Sequence, residues 1–162
     1  MKEEPTTKER SEESVAWNDM IQAKFDEKIK YKTNIPVRAL IGDYHDGSAP
    51  FTNSVLRKMG VETEIVPTAR DVIDRETGGG EYEIIITNNV YSNGEKGQMV
   101  LDALKKEEKT DIPIVILTVD PDARDRYLRK GFDEYIQKPI SEEKVKEVFP
   151  RLIKGLRFTE IG

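Results

Sequence analysis

From residue 35 onward, short apolar runs rich in Val and Ile recur at residues 35–41, 61–66, 82–87, 112–118 and 135–136. Between them lie segments with helical spacing of apolar positions, at 51–59, 69–76, 98–108, 122–130 and 142–155. Five strands alternating with five helices predict a parallel sheet with helices on both faces. The runs Ile84-Ile85-Ile86 and Ile114-Val115-Ile116-Leu117 are continuous rather than alternating, as strands covered on both faces require. Ahead of this region, Trp17, Met20, Ile21, Phe25 and Ile29 are spaced by three and four, the stripe of one helix over residues 15–30. That helix is expected to dock on the following domain or on a neighbour; a dimerising coiled coil is the alternative.

Boundary chemistry agrees with this division. Thr68 and Ser141 stand where helix N-caps are wanted, and Asp120-Pro121 reads as a further N-cap with proline at the first helical position. Gly60 and Gly131 follow helical segments at positions suited to a left-handed residue. Residues 1–14 are polar and charged without apolar periodicity and read as a disordered lead. The expected organisation is therefore a lead (1–14), a helix and linker (15–34), one α/β domain (35–150) and a tail (151–162).

Composition removes several chemistries. The chain has no Cys, which excludes disulfides, thiolate zinc sites and a Cys nucleophile, and its one histidine, His45, cannot build a two-imidazole metal site. Gly78-Gly79-Gly80 precedes a strand instead of joining strand to helix, and neither GxGxxG nor GxxxxGK occurs, so no phosphate-binding glycine loop is present. A formal charge of −5 argues against nucleic acid as a partner. No apolar run reaches the roughly 18–20 residues that span a bilayer, so no membrane insertion is expected, and the charged start is unlike a signal peptide. A cytoplasmic location is expected.

In open parallel sheets, ligands bind beyond the carboxyl ends of the strands, where strand order reverses. The residues that arrive there are Gly42, Asp43 and Asp46 after the first strand, Asn88 and Asn89 after the third, Thr118 after the fourth and Lys138 after the fifth. A carboxylate, an amide, a hydroxyl and an ammonium converge on one rim.

At this point residues 35–150 resemble the receiver domain of two-component response regulators, the CheY-like family. Residues 131–141 (GFDEYIQKPIS) are similar to the family's G-A-D-x-Y-x-x-K-P followed by F or I. Residues 112–118 (IPIVILT) resemble its fourth strand with a terminal Ser or Thr, residues 83–88 (EIIITN) its D-L-I/V-L-x-D, and residues 56–60 (LRKMG) the end of its first helix. The resemblance implies a flavodoxin-like, doubly wound five-stranded parallel sheet of order 2-1-3-4-5, here with an N-terminal helical extension. Thr118, Lys138 and the aromatic switch position Tyr135 match the family pattern. The phospho-accepting Asp falls at Asn88, the acidic pair after strand one falls at Gly42-Asp43, and the family's Met-Pro is Tyr91-Ser92, in a loop one residue longer.

These departures have chemical weight. An amide oxygen is a much poorer phosphoryl acceptor than a carboxylate. Asp43, Asn88 and Lys138 sum to no net charge, whereas three carboxylates and a lysine would attract magnesium, a hard cation wanting oxygen ligands. Asp43 is the one retained carboxylate ligand, and magnesium binding is expected to be weak or absent. The resemblance thus implies a degenerate receiver without enzymatic activity: a regulatory, protein-interaction module, part of a larger signalling protein or a partner to one. Its partner face would be the family's helix four, strand five and helix five, here residues 122–155, with a homodimer as an open alternative. Two other readings stay open, a small-molecule or anion-binding module using the emptied crevice and a receiver phosphorylated by altered chemistry. Lys138 either pairs with Asp43 or contacts a ligand, Thr118 either ends its strand or switches, and Tyr135 either packs or signals.

Overall fold

The computed structural model describes residues 4–162. In chain order its elements are α1 (Thr7–Ala23), β1 (Tyr31–Thr33), β2 (Arg38–Gly42), α2 (Ser48–Lys58), β3 (Glu62–Val66), α3 (Ala69–Thr77) and β4 (Ile84–Asn88). There follow α4 (Gly97–Leu101), which runs on as a π-helical turn (Asp102–Lys106), β5 (Ile114–Thr118), α5 (Arg124–Lys130), β6 (Glu134–Gln137), α6 (Glu142–Leu152) and β7 (Phe158–Glu160). Five strands form one parallel sheet in the order β3-β2-β4-β5-β6, which is 2-1-3-4-5 counted from the first parallel strand, as expected.

The central strands β4 and β5 are buried at every position, which is why their sequences carry no alternation. One face of the sheet packs Ile41, Ile86 and Leu117 against Leu56 and Phe149, with Trp17 and Ile21 closing the edge. The other packs Leu40, Ile85 and Ile116 against Val72, Leu101 and Tyr127. Each fully covered aliphatic side chain contributes roughly 1.5–3 kcal/mol, so the two layers supply the main driving force. Register places Gly42 beside Val66 and Thr87, Asn88 beside Leu117, and Thr118 beside Gln137. The carboxyl ends of the strands therefore share one rim.

Thr68 and Ser141 cap α3 and α6 by accepting from the N–H of Asp71 and Lys144. Gly131 ends α5 in the left-handed region at φ 112°. Three expectations are corrected. The segment read as a disordered lead is helical from Thr7, because Thr6 caps the helix, accepting from Glu9 N–H at 3.1 Å, and Arg10 and Ser14 anchor to Asp74 and Arg75 of α3. The first three residues of that lead lie outside the described ones. The helix stops at Ala23, short of Phe25 and Ile29, and Phe25 instead lies under the Arg57 guanidinium. Finally, Asp120 does not cap α5, which starts at Arg124 behind Ala123; its carboxylate is taken by the Tyr127 hydroxyl (2.8 Å) and Arg126 (3.1 Å).

Two features lie outside the five-stranded unit. The tail returns as β7 and pairs antiparallel with β1, and Ile153 and Leu156 are buried beneath that connection. At the other side α1 covers the edge strand β3. Asn18 accepts from Ile65 N–H at 2.9 Å, and Gln22 donates to the Thr63 carbonyl at 3.0 Å. Two side chains one turn apart take the backbone bonds that a sixth strand would otherwise claim. No helix among the described residues is long and apolar enough to cross a membrane.

Candidate functional site

Asp43 leaves the end of β2 and is completely buried. Its Oδ1 accepts from the His45 N–H (2.9 Å) and the Asn88 amide (2.8 Å), and its Oδ2 accepts from the Ser48 hydroxyl (2.8 Å). The Asp43 carbonyl accepts from the Trp17 indole at 2.9 Å, so α1 is tied directly to this loop. A carboxylate only accepts, which fixes the orientation of the Asn88 amide: Nδ2 faces Asp43. Among the described residues, Asn88 Oδ1 is then left buried with no hydrogen-bond partner.

Gly42, next to Asp43, is buried because another side chain occupies the space of its missing one. A Cβ at Gly42 would lie 2.0 Å from the Tyr91 hydroxyl and 2.7 Å from Val72 Cγ2. Tyr91 enters from the loop after β4, is buried, and shares a 2.6 Å hydrogen bond with the Thr87 hydroxyl. Burial, first of all, pushes its phenol far up, with the Thr87 bond opposing, so it stays neutral. Sequence reasoning treated Gly42 and Tyr91 as two separate departures; they are one, since the ring fills what the glycine vacates. A glycine in a buried strand end followed by an unexpected large aromatic two strands along was the available signal.

Thr118, at the end of β5, is buried, and its hydroxyl accepts from Asp120 N–H at 3.3 Å. Lys138 follows β6, is half-buried, and its backbone N–H donates to the Thr118 carbonyl at 2.8 Å. Its ammonium makes no ion pair among the described residues, so the expected pairing with Asp43 is not formed. Burial lowers its pKa, with Asp43 partly opposing. His45, Asn88, Thr118, Asp120 and Lys138 line a crevice of about 250 Å³. Asp46 stays exposed in the turn before α2 and contributes nothing to it.

Tyr135 lies on β6 with its hydroxyl donated to the Asp120 carbonyl and its ring stacked on Tyr127 at 6.0 Å. Asp120 therefore joins Thr118, Tyr127 and Tyr135 through its N–H, carboxylate and carbonyl. Behind this loop, Glu134 is buried between Arg124 (2.7 and 3.2 Å) and Arg151 (3.5 Å), linking α5, β6 and α6. Burial alone would raise its carboxyl, but Arg124, the Tyr135 N–H and Arg151 outweigh that and hold it low.

The residues present do not fit a magnesium ion. Asp43 is fully buried with both oxygens already accepting, the Asp120 carboxylate that lines the crevice is held by Tyr127 and Arg126, Asn88 supplies only a neutral oxygen, and no group of three His, Asp or Glu able to hold a metal occurs among the described residues.

No family model matches the chain. It is 24% identical over 102 residues to the two-component response regulator ORR42 of Oryza sativa subsp. japonica, covering 63% of this chain and 76% of that protein. Among solved structures, the chemotaxis response regulator CheY4 of Vibrio cholerae superposes with a TM-score of 0.63 at 16% identity, over 74% of this chain and 100% of the other. The receiver domain of a sensor histidine kinase from Pseudomonas aeruginosa, with magnesium coordinated in its active site cleft, gives 0.63 at 17% identity over 73% and 98%. A response regulator from Chloroflexus aurantiacus gives 0.63 at 20% over the same shares. The chain has the receiver fold.

Proposed function

We propose that the chain is a receiver domain of two-component-type signalling that takes up no phosphoryl group, and that it acts as a regulatory, protein-binding module in the cytoplasm. The observation that carries this is the pairing of Gly42 with Tyr91 beside Asn88 and Asp43. The acceptor is an amide whose N–H is committed to the remaining carboxylate, and a neutral phenol occupies the place of the second carboxylate. No anionic oxygen is left free to attack phosphorus, and the charge that would recruit a divalent cation is missing. Signal output is assigned to the face of α5, β6 and α6, where the Glu134 ion pairs connect three elements to the Asp120 loop.

Incubation with acetyl phosphate and magnesium, read by intact mass, tests the reading. The wild-type chain gains no phosphoryl mass and binds beryllofluoride no better than buffer. Asn88→Asp alone stays inert, while the combination Gly42→Asp, Asn88→Asp and Tyr91→Met gains phosphorylation, because it restores both carboxylates and removes the ring. A phosphoryl adduct on the wild-type chain sinks the proposal.

A second reading, a small-anion site in the same crevice, is favoured by one observation: the half-buried ammonium of Lys138, which lines it, has no ion pair among the described residues. A thermal-shift series with small anions that moves the midpoint in the wild type and not in Lys138→Met would favour it.

A further inference from the structure

A cavity of about 730 Å³ is separate from the crevice. It opens between α1 and the loops after β2, β3 and β4, at the carboxyl end of the sheet. Glu13, Ala16, Trp17 and Met20 enter it from α1, at positions spaced by three, one and three, so they share one helix face. Tyr44 and Pro67 face them. Trp17 forms the floor, with Tyr44 against it at a ring separation of 4.6 Å, and Tyr44 and Met20 remain 47% and 42% exposed. The volume lies within the usual range for small-molecule sites.

The polar inventory of the walls narrows the ligand. The Thr68 hydroxyl is consumed by Asp71, and Asn93 by Glu95. Among the described residues, Glu13 has no ion pair, the Ser92 hydroxyl has no protein partner, and no Lys or Arg lines the cavity. The walls thus offer aromatic and thioether faces, one free carboxylate and one hydroxyl. The geometry points to a binding site for a flat aromatic heterocycle carrying an amino group or a protonated ring nitrogen, and lacking phosphate. Its ring stacks on Tyr44 over Trp17, and its N–H donors meet Glu13. A phosphorylated ligand is disfavoured because its charge would meet Glu13 with no cation to offset it.

Trp17 is the only tryptophan, so its emission reports this cavity and the Asp43 loop that its indole N–H bonds, and the Tyr44 variant separates the two. Adenosine and AMP share one ring system and differ in charge, which makes them suitable probes. With excitation at the red edge of indole absorption, adenosine produces a saturable change in Trp17 emission and AMP binds about fivefold more weakly. Tyr44→Ala, at a half-exposed position, weakens adenosine about three- to tenfold. Glu13→Lys, on the exposed side of α1, reverses the preference in favour of AMP; circular dichroism checks that both variants are folded. Three results overturn the proposal: no saturable response to adenosine, equal responses in wild type and Tyr44→Ala, or a Trp17 emission that shifts with protein concentration alone, which would assign the cavity to a second copy of the chain.

Discussion

Asn88 Nδ2 donates to Asp43 Oδ1 at 2.8 Å, a spacing that is favourable because one partner is an amide. Replacing Asn88 with Asp puts two carboxyls into a buried site beside Lys138, whose ammonium has no ion pair among the described residues and is itself depressed by burial. Two such groups cannot both ionise freely, so the pair binds a proton more tightly in the folded chain than in the unfolded one. The sign follows: the folded-state pKa is raised, so the variant approaches wild-type stability in acid and loses stability as pH rises through that value. At pH 8 the loss is about 3–5 kcal/mol, the scale of a buried charge left without compensation. Urea unfolding of both proteins at pH 5 and pH 8 measures it. A difference between variant and wild type that is larger at pH 5 contradicts this account.

At the scale of elements, α1 is the piece whose role is least like that of an ordinary amphipathic helix. It buries only Ser14, Trp17 and Ile21 along 17 residues, and its hold on β3 is polar, through Asn18 and Gln22. Replacing both with Ala removes the partners of Ile65 N–H and the Thr63 carbonyl at a sheet edge. Each lost bond costs about 1–3 kcal/mol where the group stays shielded from water. The uncovered edge also becomes a template for pairing with another chain. The double variant is expected to unfold at lower urea and to elute from size exclusion as larger species at high concentration; an unchanged midpoint together with a monomer at all concentrations refutes the edge-covering role. The same feature explains why the start of α1 was not legible in the sequence. Periodicity detects apolar stripes, and residues 7–14 contribute to the fold through Arg10 and Ser14, whose bonds to Asp74 and Arg75 are tertiary. The central strands show the opposite case: Ile84 to Ile86 and Ile114 to Leu117 announce burial on both faces by composition alone, and Gly131 marks the end of α5 by backbone chirality. Tyr91 lies between these cases. Its identity is visible, but that it fills the space beside Gly42 depends on a register between β2 and β4 that no local pattern contains.

Across the whole molecule, α1 and the tail both close onto the sheet, α1 over β3 and the tail after α6, and their buried residues Trp17, Ile21, Ile153 and Leu156 join one core layer. The tail was read as an appendage beyond residue 150, yet Leu156 is 4% exposed, Phe158 packs against the main core, and β7 pairs with β1 over three residue pairs. Asn34 reinforces the closure, donating to the Gly155 carbonyl at 2.8 Å and accepting from Arg157 N–H at 2.6 Å. Strand signals in so short a stretch are weak, because three residues cannot establish an alternation and the partner strand lies more than 120 residues away. Removing residues 156–162 should therefore act as a core truncation. Loss of Leu156 alone is worth about 2–5 kcal/mol, with the pairing to β1 lost in addition. For a chain of this size that corresponds to a fall in Tm of roughly 5–15 °C. Tyr31, which packs beside Phe158 and lies under the Lys146 ammonium at 4.2 Å, would lose its cover, so near-ultraviolet dichroism should change along with the midpoint. The cavity lined by Trp17, at the carboxyl ends of the strands, depends on none of these contacts. Ligand responses of Trp17 should then survive the truncation at temperatures where the shortened chain is folded. A truncated chain with an unaltered Tm would show that the closure is incidental to the fold.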